Sequence, residues 1–301
     1  YADYAAWQQT YLQGELLQHH IDYWRKQLAG TTPLQLPVDR VSQSVQHTRG
    51  ASFPFALSQS LLNEITALSR NENVTVFMTL LSAFQTLLQR LTGQDDLVVG
   101  TDIANRTHVE TEALIGFFVN LLALRCNLGG NPSFQSVLQH VRQIVLEAYA
   151  HQDLPFDRLV EILQPDRSSQ QMPLVRALFV FQNVPMPPQE IAGLTLSPVA
   201  FEQHTTNFDL VIFLWEGAQG LLGSANYDPD LFDEATIATL LERFQLLLQQ
   251  VVRQPDTLLS EIDISTDQEK REKASPQKKK DQHAKQRLKL KGTRRQEIDL
   301  T

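Results

Sequence analysis

The side chains in this 301-residue sequence that could do chemistry fall into a few places. Asn105-Arg106 heads a polar loop that leaves an apolar run at Leu97-Val98-Val99 and exits at Gly116. An arginine there can grip a carboxylate through its planar fork, which lysine cannot reproduce. A solvated loop arginine is the plainer alternative. His151-Gln152-Asp153 sets an imidazole beside a carboxylate, the pattern of a proton shuttle, and His19-His20 supplies two more imidazoles. The 8 histidines and 1 cysteine show no metal-ligand spacing. No glycine-rich loop follows a strand to cradle phosphate, and no Gly-x-Ser-x-Gly elbow is present.

Elements able to position these groups are legible in the apolar pattern. Tyr4, Trp7, Tyr11, Leu17, Ile21, Trp24 and Leu28 recur at helical spacing, which predicts an amphipathic helix ending at Gly30. His20 falls on the surface of that helix by this reading. Pro33 to Pro54 reads as extended and irregular. Ser58 then caps a helix with Leu61, Leu62, Ile65 and Leu68 on its buried stripe, and Val74-Thr75 leads into a second that is apolar on most faces. Gly93 ends it. Leu97-Val98-Val99 and Phe117-Phe118-Val119 read as two buried strands around the polar loop. Asn131-Pro132-Ser133 opens a helix interrupted at Leu154-Pro155, and a shorter helix, FDRLVEIL, follows. Strands are predicted over Leu174 to Phe181, Leu194-Leu196, Leu210-Leu214 and Gly220-Tyr227, and a helix over Asp230 to Val252. This alternation predicts an α/β layered domain.

Composition bounds the function classes. The single cysteine, Cys126, excludes a disulfide framework and fits a reducing cytoplasm. No apolar run approaches the roughly 18 residues of a membrane span, and no signal peptide is expected. The net charge of −8 is uneven: residues 1–264 hold 14 Lys+Arg against 28 Asp+Glu, residues 265–301 hold 12 against 6. An acidic body is a poor nucleic-acid binder. From Gln268 onward polar and charged residues dominate without an apolar stripe, so a flexible basic linker is expected there.

Four segments, taken in order, resemble one family. Tyr1-Ala2-Asp3-Tyr4-Ala5-Ala6-Trp7-Gln8 is similar to the Tyr-x-Asp-Tyr-Ala-x-Trp-Gln motif of nonribosomal peptide synthetase condensation domains. Ile115 to Arg125, IGFFVNLLALR, resembles their Ile-Gly-x-Phe-Val-Asn-Thr-Leu-Pro-Leu-Arg motif, with Leu121 and Ala123 as departures. His151 to Asp157, HQDLPFD, resembles His-Gln-Asp-x-Pro-Phe-Glu, and Pro173 to Asn183 the strand motif that follows. The family's His-His-x-x-x-Asp-Gly motif is not in these residues; His19-His20 has the wrong spacing for it.

The resemblance implies a chloramphenicol-acetyltransferase-like α/β fold in two lobes and a fragment that carries the C-terminal one. Residues 1–30 would be the helical end of the N-terminal lobe, 31–266 the C-terminal lobe and 267–301 the linker. It implies amide-bond formation between carrier-bound aminoacyl and peptidyl thioesters. The phosphopantetheine arms would arrive as substrates from carrier domains, with no cofactor bound by this chain. Implied partners are peptidyl carrier domains, an adjacent adenylation domain and the N-terminal lobe, without nucleic acid or membrane. A carrier-docking module without chemistry, or an ester-forming, epimerising or cyclising relative, stays open. Arg106 would pair with the aspartate of the absent motif, and Asp209 would support the active site. Asn183, Gly116 and Asn120 would line the substrate channel. Asn183 and Asp209 could equally satisfy buried backbone groups. His151 would be structural, at a helix end.

Overall fold

Hydroxyl side chains start three helices where the sequence places them. The computed structural model describes residues 1–40, 49–163, 174–182, 189–191, 194–196 and 205–271. The Ser58 hydroxyl accepts from the Leu61 amide at the head of α3 (Gln59–Asn71), and Thr75 from Met78 at the head of α4 (Val76–Thr92). Ser133 does the same for α6 (Phe134–Ala150). Each satisfies an amide that has no partner inside its helix. Gly93 closes α4 with φ 71, a left-handed cap that suits glycine.

The remaining helices are α1 (Ala2–Tyr11), α2 (Gly14–Leu28), α5 (Val109–Glu112), α7 (Phe156–Leu163) and α8 (Glu234–Val251). The strands are β1 (Ala51–Ser58), β2 (Asp96–Ile103), β3 (Asn120–Asn127), β4 (Ala177–Gln182), β5 (Gln189–Ile191), β6 (Leu194–Leu196), β7 (Leu210–Gly217) and β8 (Gly220–Tyr227). Six of them form one sheet in the order β1-β8-β7-β4-β2-β3, and β5 pairs with β6 separately. At its centre β2, β4 and β7 run parallel, and the other pairings are antiparallel. Helix α4 packs against β2 and β4 and between α6 and α8. Its run from Met78 to Leu88 is wholly buried, as its all-round apolar character predicts. Phe84 stacks on Phe179 at 5.4 Å and meets Phe244 edge-on at 6.3 Å. Full burial of such a ring is worth about 1.5–3 kcal/mol.

Several sequence-based expectations are corrected. The first helix is two helices, because Leu12 leaves helical geometry with ψ 70. Phe117-Phe118-Val119 is no strand: β3 begins one residue later, and Phe117 is 78% exposed. Alternation along that run turns Phe118 towards α1 rather than into the sheet. Pro54 lies inside β1, tolerated because β1 is an edge strand and needs no amide on its free side. The strand expected from Leu174 starts at Ala177, and α8 starts at Glu234 after a turn held by Asp228. The chain divides into compact units Tyr1–Ile262 and Asp263–Thr301, and α1 and α2 fall in the first of these with the sheet. Of the linker expected over 267–301, residues 272–301 lie outside the described residues.

Candidate active-site cleft

In sheets with parallel strands, backbone geometry opens a crevice beyond the strands' carboxyl ends. Here the carboxyl ends of β2 and β4, with the loop after β2, border a cleft of ≈ 670 Å³. Phe77, Ile103, Val119, Val180, Phe181 and Phe213 give it an apolar lining. Asp102, Asn105, Arg106, Tyr149, Gln152 and Gln182 are among its polar groups. A second cleft, ≈ 420 Å³, shares Asp102, Asn105 and Val119 with it and runs under Tyr1 and Tyr4 to Asn120 and Asp157.

The loop after β2 turns at Asn105, whose φ of 52 is left-handed and suits asparagine. That turn sends Arg106 back over the loop. Its guanidinium donates to the Thr111 carbonyl and lies 4.2 Å from the centre of the Phe118 ring. Phe118 is itself buried under α1, against Tyr1 at 5.3 Å and Tyr4 at 4.8 Å. The Tyr1 hydroxyl donates to the Phe117 carbonyl at 2.9 Å, and Trp7 meets His108 at 4.9 Å. Gly116 is where α1 comes closest: a Cβ there would sit 2.3 Å from the Tyr1 ring. Gly116 lines neither cleft.

Asn120 holds a second turn. Its amide donates to the carbonyls of Gln152 (2.8 Å) and Leu154 (3.0 Å), and its oxygen accepts from the Phe156 amide at 3.0 Å. Every polar atom of that side chain thus serves the break between α6 and α7, while the residue also borders the second cleft. On the other side of this turn His151 takes contacts from α2. Its carbonyl accepts from the Trp24 indole at 3.1 Å, and its ring stacks on Tyr23 at 3.9 Å. Its Nδ1 lies 3.0 Å from Nδ1 of His20. His20 is 4% exposed, which corrects its expected surface position: it lies on the face of α2 that docks on this turn. Burial, and then the neighbouring histidines, push the His151 imidazole below its usual range; for His20 burial is also the largest cause. Burial raises the Tyr23 phenol to about 12.

Asp209 is 3% exposed and pairs with Arg176 at 2.5 Å; Arg176 also donates to the Leu34 carbonyl at 3.0 Å. Asp209 lines neither cleft, so its carboxylate ties the start of β7 to the chain around Leu34. Asn183 lies outside the described residues. Two residues escaped the reading of the sequence. Arg125 grips Asp96 through Nε at 2.8 Å and Nη2 at 2.7 Å, and Nη1 donates to the Gln27 and Ala29 carbonyls at the end of α2, each at 2.9 Å. The fixed Arg at the end of the Ile115–Arg125 motif was a signal for it. Asp102 stands between the two clefts, its pKa raised by burial. A lone carboxylate at the end of an apolar strand was the available sign. No group of three or more His, Cys, Asp or Glu able to hold a metal occurs among the described residues. No single helix among them is long and apolar enough to cross a membrane.

Both turns are thus held by residues from segments far apart in sequence, and comparison with known proteins gives the arrangement a family. The condensation domain model matches residues 1–273, and the chain belongs to the condensation domain family. It is 42% identical over 272 residues to one of the linear gramicidin synthase proteins of Brevibacillus parabrevis, covering 89% of this chain and 5% of that protein. Phosphinothricin tripeptide synthetase PhsB of Streptomyces viridochromogenes is 41% identical, with 85% of this chain and 22% of that protein covered. The chain therefore spans a small part of the length of the curated relatives it matches. Among solved structures, the X-domain from teicoplanin biosynthesis superposes with a TM-score of 0.81 at 27% identity, over 88% of this chain and 62% of that one. The α/β architecture is that of these condensation and X-domain structures.

Proposed function

We propose that this chain is the cleft-bearing part of a domain that joins two carrier-bound thioesters through an amide bond in a modular peptide synthetase. The amine of one aminoacyl thioester attacks the thioester carbonyl of the other. The carbon–sulfur bond breaks, the thiol of the donor's phosphopantetheine arm leaves, and the amine's proton passes to it or to solvent. The observation that carries this reading is the assembly of three family motifs around one cleft. The Tyr1–Gln8 helix covers the loop carrying Arg106, and Asn120 of the Ile115–Arg125 segment holds the His151–Asp157 turn beside it. Such a cleft supplies binding and orientation, which can account for much of the rate of a two-substrate reaction. The imidazole that faces the amine is assigned to a His-His-x-x-x-Asp-Gly segment, which these residues do not contain. Arg106 is assigned to the aspartate of that segment, and the Thr111 carbonyl and Phe118 ring hold its guanidinium meanwhile. The two arms come from peptidyl carrier domains, with an adenylation domain adjacent in the same synthetase and the whole in the cytoplasm.

The test is a domain completed with a segment bearing His-His-x-x-x-Asp-Gly, supplied with loaded donor and acceptor carriers and assayed by mass spectrometry. Dipeptidyl carrier is expected, and none from the 301-residue chain alone. The second reading is a carrier-docking module without chemistry. Carrier binding by the completed domain without any peptide product would select it.

A further inference from the structure

Asp102 is a half-buried carboxylate that the fold does not use. It sits one residue from the end of β2, opposite Leu121 of β3, and borders both clefts. In the larger cleft it is the sole carboxylate among the described lining residues, which also include the apolar Phe77, Ile103, Val119 and Val180. Among the described residues no hydrogen bond or ion pair reaches it, and burial is the single cause that raises its pKa. The cation in the same cleft, Arg106, is committed to the Thr111 carbonyl and the Phe118 ring. A carboxyl group held in an apolar wall without a partner costs free energy that an aliphatic side chain would not. An arriving cation would remove that cost, because an opposite charge within a few ångströms restores the ionised form.

The chemistry of the reaction proposed above names such a cation. An aminoacyl thioester that acts as nucleophile enters with a free α-amino group, which near neutral pH is largely an ammonium. A lone carboxylate suits this compact point charge with its three donors. A divalent metal would need further ligands, and no cluster of three or more candidate ligands is present among the described residues. We infer that Asp102 binds the α-ammonium of the acceptor aminoacyl group at the wall shared by the two clefts. This rests on the condensation reading and concerns the bound reactant before any bond changes. Among the described residues, Arg106, Tyr149 and, in the smaller cleft, Asp157 are the other charged or titratable groups that line these spaces, together with Tyr1 and Tyr4.

The experiment measures binding of two probes to the full chain by calorimetry: glycyl pantetheine with an amide in place of the thioester, and the matching acetyl compound, which lacks only the amine. The glycyl probe should bind at least about tenfold more tightly, the scale of one charge-assisted contact. Asp102→Asn keeps shape and removes charge; it should erase that preference and leave the acetyl affinity within about twofold. Equal affinity of the unaltered chain for both probes, or a preference that survives Asp102→Asn, overturns the inference. Should the variant not fold, the carbon-13 shift of the Asp102 carboxyl group in the unaltered chain decides: it must move with the glycyl probe and stay with the acetyl one. Failure here alongside peptide formation by the completed domain sinks the amine site alone. An intact amine preference without peptide formation sinks the condensation reading and keeps the site.

Discussion

His20 and His151 face each other through their Nδ1 atoms at 3.0 Å, across 131 positions of sequence. One ring must donate and the other accept, so the pair cannot hold two protonated Nδ1 atoms in this geometry. The Nε2 atom of His20 is buried without a partner, and charging that ring would place a second N–H there. The junction between α2 and the turn after α6 therefore requires at least one neutral imidazole.

Stability should follow from that requirement. Both folded-state pKa values lie below the ordinary 6.5, mainly through burial, with Asp153 and Glu147 opposing the shift and His19 adding to it. A base whose folded pKa is lowered binds more protons when unfolded, so stability rises with pH in that window. Tm should be at its plateau above about pH 6.5 and fall as the pH drops below it. His20→Gln, tested by thermal unfolding at pH 7.5 and 5.5, should flatten this dependence; an unchanged slope would refute the role of the pair.

Asn120→Ala should destabilise the chain by roughly 2–4 kcal/mol, since it strands one amide and two carbonyls of the turn. Asn120→Asp should do no better, because a carboxylate cannot donate to the Gln152 and Leu154 carbonyls. Denaturant midpoints followed by circular dichroism check both.

Arg125→Ala removes the fork on Asp96 and both donors to the end of α2. The expected loss is about 1–3 kcal/mol, moderated by partial exposure of the pair. Arg125→Lys should recover little, because an ammonium cannot span the same acceptors. Hydrogen exchange in residues 14–28 should quicken in both; exchange that stays at the unaltered rate would show that Arg125 does not hold α2.

Arg106→Ala in a completed domain should lower both Tm and peptide formation. If the arginine pairs with the upstream aspartate, the cost is roughly 3–5 kcal/mol, and lysine does not rescue it. Arg158→Ala is the control: its pair with Glu161 at 2.8 Å is mostly exposed and should contribute well under about 1 kcal/mol. Unaltered stability and turnover in Arg106→Ala would leave the residue as a loop support for Thr111 and Phe118.

Local signals in the sequence determined much of the frame. Ser58, Thr75 and Ser133 cap helices because a hydroxyl and a free amide lie three residues apart, and Gly93 ends α4 because a left-handed residue suits glycine. The buried α4 was legible for the same reason: apolar residues on every face leave no side for water. The order of the four motifs carried the family, and the alternation of helical and strand patterns carried the layered α/β class. Only the tertiary structure decided which faces those elements bury. Phe117-Phe118-Val119 has strand composition, yet Phe118 turns to α1 and β3 begins at Asn120. His20 reads as a surface residue until His151 is brought against it. Asn120 and Arg125 look alike as motif letters, but one clamps a turn and the other caps a helix. Asp102 becomes a candidate only once β2 and β4 end at one cleft. Caps and periodicity are settled within a few residues, whereas burial, charge environment and cavity shape depend on segments that meet only after the chain has folded.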